Sequence, residues 1–226
     1  MLNPRQSKDA TIFGVPLYGS NPWVFSGCNA QQGPALEDFF NKTADFMKAY
    51  VVPAVGLNSS TDAYPAFFST MNPDFVSPIF KWFDPTLYLS NGRPNIICLN
   101  DDVPALAGAL AVCSQGKDPY AFTISTNIFL CPAFFDKLKA FPEGPANCPS
   151  VDATVNPAQF VDHNDAVVNQ YGVLIHELVH VNSHVRISND PATENNATEV
   201  YGLNEIIALS AGAQQLNANN YAYFAA

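Results

Sequence analysis

Basic residues are scarce in this chain: Lys and Arg total 10 against 20 Asp and Glu among 226 residues, for a formal net charge of -10. A surface of that sign repels phosphate backbones and anionic lipid, so nucleic acid and membranes are not the expected partners. Long apolar runs are missing as well. The longest, Val103 to Cys113, falls far short of the ~20 residues that a helix needs to cross a bilayer. The opening segment Met1 to Ala10 is polar and holds no apolar stretch of the signal-peptide kind. The sequence shows no internal repeat and no C-x-x-C pair. Histidine is limited to 4 positions and charged residues to 13%.

What is present is core material. Hydrophobic residues make up 48% and aromatics 12%, with 18 prolines, which fits one folded domain with rigid loops and excludes a disordered chain. The five cysteines, Cys28, Cys98, Cys113, Cys131 and Cys148, are spread widely, which favours disulfides over a zinc ribbon. Five choices of odd thiol and three pairings of the rest leave fifteen patterns open. Sequons at Asn41, Asn58 and Asn196 would accept glycans in a secretory pathway. Together with the cysteines they point to an extracellular glycoprotein.

Along the chain, Leu36, Phe39, Phe40, Thr43, Phe46, Met47, Tyr50 and Val51 recur at helical spacing and predict an amphipathic helix ending before Pro53. Residues 53–95 read as an insertion or long ordered loop, rich in Pro, Ser, Asn and Phe without a period. Thr86 to Ser90 and Asn95 to Leu99 flank Asn91-Gly92 and predict a hairpin, with Pro94 placing the second strand at an edge. Asp102 to Val112 reads as a short helix, Ala121 to Leu130 as a strand, and Ala133 to Phe141 as a helix. Val173 to Val181 is apolar and reads as a buried helix capped by Asn164 or Asp165. Val200 to Leu216 predicts another helix, and Asn217 or Asn219 caps a last one through Phe224. The expected architecture is α+β: mostly helical, with a small, mainly antiparallel sheet.

The buried helix carries His176, Glu177, Leu178, Val179 and His180, the pattern H-E-x-x-H. Positions four apart share a helix face, so both imidazoles reach one metal ion while Glu177 stands beside it. Zinc held by two neutral imidazoles and a carboxylate keeps a fourth position for water and lowers its pKa from ~16 toward ~7. Glu177 then accepts the proton and passes it to the leaving amine, which is peptide-bond hydrolysis. The bland alternative leaves both imidazoles hydrogen-bonded in a core. His184 is excluded as third ligand because a straight helix puts it ~12 Å along the axis from His176. His163 has no motif around it.

The third ligand is expected after the polar loop, among Asp190, Glu194, Glu199 and Glu205. H-E-L-V-H at 176–180, Tyr201-Gly202, the tail from Asn217 to Ala225 and the stretch from Asn127 to Phe135 resemble the aspzincins, fungal deuterolysins and peptidyl-Lys metalloendopeptidases. Nothing before about residue 95 contributes to that resemblance. It implies a zincin-like fold, a secreted monomer acting on protein or peptide substrates, zinc on His176 and His180, Glu177 as base and Tyr201 as oxyanion donor. The family's third ligand is the Asp of G-T-x-D-x-x-Y-G, a position held here by Thr198. Glu199, one residue later and one methylene longer, is the first candidate. The same residues also read as a capping box with Asn196 as N-cap. Glu205, four residues after Tyr201 and so on its face of a helix, is the second candidate. A non-catalytic secreted zinc-binding antigen or scavenger stands as the rival function, and a fold that has lost its metal as a third. Glu177 speaks against the scavenger, since a binder needs no base.

Overall fold

Consecutive buried residues place the centre of the sheet. Ile96, Ile97 and Cys98 are all buried, as expected of a strand covered on both faces. In the computed structural model, residues 11–12, 15–18, 25–56, 63–69, 73–81, 94–114, 119–140, 169–181, 200–214 and 216–225 are described. Within them the strands are β1 (Thr11–Ile12), β2 (Val15–Tyr18), β3 (Phe25–Ser26), β4 (Asn95–Cys98), β5 (Ala121–Ile124) and β6 (Asn127–Leu130), in the order β1-β2-β3-β4-β6-β5. The outer pairings are antiparallel, as the sequence suggested, but β3 with β4 and β4 with β6 are parallel. β4 is therefore central, with a parallel neighbour on each side, while Thr86 to Ser90 and Asn91-Gly92 of the expected hairpin lie outside the described residues. Pro94 is tolerated because it precedes the first ladder residue.

Side chains alternate across this sheet. Ile96, Cys98, Ile128 and Leu130 enter a large core beneath one face, while Ile97, Leu99 and Phe129 join Leu106 and Cys131 in a smaller one above the other. The stretch Ala121 to Leu130 is a hairpin where one strand was expected. Ser125, at positive φ of 59°, makes the reversal without the glycine or Asn-Gly signal that would have announced it.

The first helix, α1 (Gln32–Phe46), buries Leu36, Phe39, Phe40 and Thr43, the predicted stripe. It runs through a π-helical turn (Met47–Val51) into α2 (Val52–Gly56). The wider turn lies just ahead of Pro53, whose missing N–H interrupts the normal ladder. The segment read as a long loop contains α2, α3 (Ala63–Phe68) and α4 (Pro73–Lys81). Each is short and carries a proline, so no period builds up. Tyr64, Phe68, Val76, Ile79 and Phe80 from these helices are core residues.

Beyond β4, a 3-10 turn (Pro104–Leu106) leads into α5 (Ala107–Cys113), and α6 (Pro132–Asp136) follows β6, ending earlier than predicted. Cys28–Cys98 joins the ends of β3 and β4, and Cys113–Cys131 ties α5 to the end of β6. Cys148 lies outside the described residues. The remaining helices are α7 (Gln170–Val181), α8 (Leu203–Ile207), α9 (Ala211–Gln214) and α10 (Ala218–Ala225). Val200 to Leu216 is thus broken into two short helices where one was expected. None of the described helices is long and apolar enough to cross a membrane.

Candidate metal centre

Helix α7 starts at Asn169, whose Oδ1 accepts the Gly172 N–H at 2.9 Å. That is a side-chain N-cap, and it replaces the predicted caps Asn164 and Asp165, which lie outside the described residues. Leu174, Ile175, Leu178 and Val179 are buried, each contributing about 1.5–3 kcal/mol of apolar transfer. Tyr171 fixes the base of the helix by donating its hydroxyl to the Ala225 carbonyl oxygen at 2.9 Å. The helix packs against β5, β6 and α10.

On this scaffold the two histidines meet. Nε2 of His176 and Nε2 of His180 are 3.2 Å apart, with ring planes at 74°. Two nitrogens on one tetrahedral zinc, with Zn–N bonds of about 2.0–2.1 Å, are separated by about 3.3 Å. That spacing fits a hydrogen bond between the two rings and equally fits two ligands of one ion. Nδ1 of His176 lies 3.1 Å from Oδ1 of Asn219 on α10. The amide oxygen can only accept, so the imidazole proton sits on Nδ1 and the Nε2 lone pair faces His180. Burial pushes the His176 pKa down to about 4, the Asn219 hydrogen bond opposing it. The ring is neutral near pH 7, the form that binds metal.

Glu177 has a partner of its own. Only 6% exposed, it is held by β5, where the Thr123 hydroxyl lies 2.7 Å from its Oε2 and 3.2 Å from its backbone oxygen. With one hydrogen to give, Thr123 serves the nearer carboxylate oxygen. The Tyr201 ring stacks on His176 at 6.1 Å with planes 22° apart, and it is 64% exposed. Tyr201 therefore stands beside the histidine pair and faces solvent.

Among the described residues no group of three His, Cys, Asp or Glu is placed to hold a metal ion. The Glu205 carboxylate lies close to Gly202, the residue at φ 99° that precedes α8. Glu199 lies outside the described residues, as do His163, His184, Asp190 and Glu194. Two residues of the site had been missed. Thr123 had no signal, since a threonine in a β-type run is ordinary. Asn219 had been read only as a helix cap.

The sequence matches no family model and no curated protein. Among solved structures, the fold is similar to that of a zinc peptidase from Grifola frondosa, with a TM-score of 0.50 and 15% identity over 88% of this chain and 96% of that one.

Proposed function

We propose that this chain is a zinc-dependent endopeptidase of aspzincin type. The observation that carries the reading is the 3.2 Å approach of two imidazole nitrogens, one fixed in its metal-binding tautomer by Asn219. The fold similarity to a zinc peptidase supports it. Two disulfides support an oxidising compartment, and hence a secreted enzyme.

His176 and His180 hold the ion, with Glu199 as third ligand. Glu199 immediately precedes Val200, and Asn219, which orients His176, also holds the Val200 carbonyl at 2.9 Å. Zinc supplies a Lewis acid that acidifies water and polarises the scissile carbonyl. Glu177 takes the proton from the attacking water and hands it to the leaving amine, its carboxylate held in one rotamer by Thr123. Tyr201, beside His176 and open to solvent, donates to the oxyanion.

The rival is a zinc-binding protein without catalysis, favoured by the threonine at the family's Asp position. Zinc content and casein cleavage, measured on the native chain and on Glu177→Gln, decide between them. The enzyme retains zinc in both forms and loses activity by several orders of magnitude in the variant. Equal zinc with no cleavage by either form leaves the binding protein; no zinc in either removes both.

A further inference from the structure

We propose that Asn219 is the positioning residue of the metal site, setting the tautomer of His176 and fastening the chain that leads into Tyr201 with the same side chain. The inference rests on the zinc reading above.

An asparagine amide can be turned either way, but here the surroundings allow one orientation. The Val200 carbonyl oxygen lies 2.9 Å from Asn219 Nδ2. A carbonyl oxygen only accepts, so the amide nitrogen must face it. Oδ1 is thereby committed to Nδ1 of His176, at 3.1 Å. An oxygen in that place requires the proton on Nδ1 and leaves Nε2 with its lone pair toward Nε2 of His180. The logic runs from a backbone carbonyl, through one amide, to the electronic state of a metal ligand.

The carbonyl is itself held firmly. Asn217 accepts the Val200 N–H at 3.2 Å and donates to the Val200 oxygen, also at 3.2 Å, so that oxygen receives two amide donors. Asn217 further donates to Asn220 Oδ1 at 2.8 Å, and Asn220 donates to the Phe67 carbonyl oxygen at 2.8 Å. Asn217, Asn219 and Asn220 are all buried, where water does not compete for these bonds. The run Asn217-Ala218-Asn219-Asn220 thus connects α3, the Val200 segment and α7 through side-chain amides.

Aspartate in place of Asn219 would separate the two functions. Its carboxylate still accepts from Nδ1 of His176 but offers nothing to the Val200 oxygen. Alanine removes both.

The test is zinc affinity by chelator competition for wild type, Asn219→Ala, Asn219→Asp and His176→Ala, together with the imidazole 15N spectrum of the metal-free wild-type chain. Asn219→Ala is expected to bind zinc about 10–100-fold more weakly, and Asn219→Asp to bind within a few-fold of wild type. The 15N spectrum should show His176 as the Nδ1–H tautomer. Wild-type affinity in Asn219→Ala, with binding abolished in His176→Ala, overturns the inference and leaves the zinc reading intact. An Nε2–H tautomer at His176 overturns it even if Asn219→Ala fails to fold. Wild-type protein whose zinc uptake is absent or insensitive to His176→Ala removes the zinc reading, and this inference with it.

Discussion

Nε2 of His176 and Nε2 of His180 face each other at 3.2 Å across one turn of α7. Helical spacing brings them to one face, but the closeness requires both rings to turn inward, and Asn219 supplies that constraint for His176. Zinc at ~1,000 times its dissociation constant should raise the stability of the wild-type chain by about 4 kcal/mol. His180→Ala should lose most of that gain. Thermal melts with and without zinc check this, and an equal zinc-induced shift in both proteins would remove the shared site.

Burial of His176 fixes the sign of an acid effect on the metal-free chain. Its folded pKa, about 4, lies below the ordinary 6.5. Between those values the unfolded chain takes up a proton that the folded chain refuses, so stability falls as pH drops from 6.5 toward 4 and levels off below. The effect is about 3 kcal/mol at most, at 1.36 kcal/mol per pH unit. Denaturant midpoints at pH 7 and pH 4.5 for wild type and His176→Asn should differ in slope, the variant having lost this component. Parallel behaviour of the two proteins would rule it out.

Thr123 and Glu177 are joined at 2.7 Å between an edge strand and α7. Thr123→Val preserves the shape and removes a donor to a buried carboxylate, which should destabilise by about 1–3 kcal/mol. Because Glu177 is the proposed base, cleavage should also fall while zinc affinity holds. Urea unfolding, zinc competition and casein cleavage on the same sample test these parts; unchanged stability would mean that this hydrogen bond contributes nothing.

Gly202 is at φ 99°, and a Cβ built there would overlap the Glu205 carboxylate. Gly202→Ala should therefore cost about 1–3 kcal/mol of strain. The overlapping atom is the far end of an exposed, flexible side chain that can swing aside, so adding Glu205→Ala should recover little of the loss. Full recovery would show that φ carries no penalty.

The sequence made legible what depends on local period and on one motif. The stripe Leu36, Phe39, Phe40 and Thr43 built α1 as read, and H-E-L-V-H lies on a helix with its histidines together. Less visible was anything set by long-range pairing. The parallel placement of β4 between β3 and β6 depends on contacts across dozens of residues, and the turn at Ser125 uses a backbone state that serine seldom takes. The short, proline-bearing helices α2, α3 and α4 are too brief to show a period and are held by tertiary packing of Tyr64, Phe68 and Phe80. Thr123 and Asn219 escaped for the same reason: their roles come from partners 54 and 43 residues away.

Thr43 is fully buried on α1, yet among the described residues its Oγ1 has no hydrogen-bond partner. A buried hydroxyl left without a partner costs about 1–3 kcal/mol. Valine has nearly the same shape and no polar atom, and the two β-branched residues have similar helix propensity. Thr43→Val should therefore stabilise the chain by about 1 kcal/mol, with the desolvation cost only partly recovered where packing is imperfect. Chemical denaturation at constant m-value measures the difference directly. A loss of stability instead would mean that the hydroxyl finds an acceptor in solution and that the core is built around it.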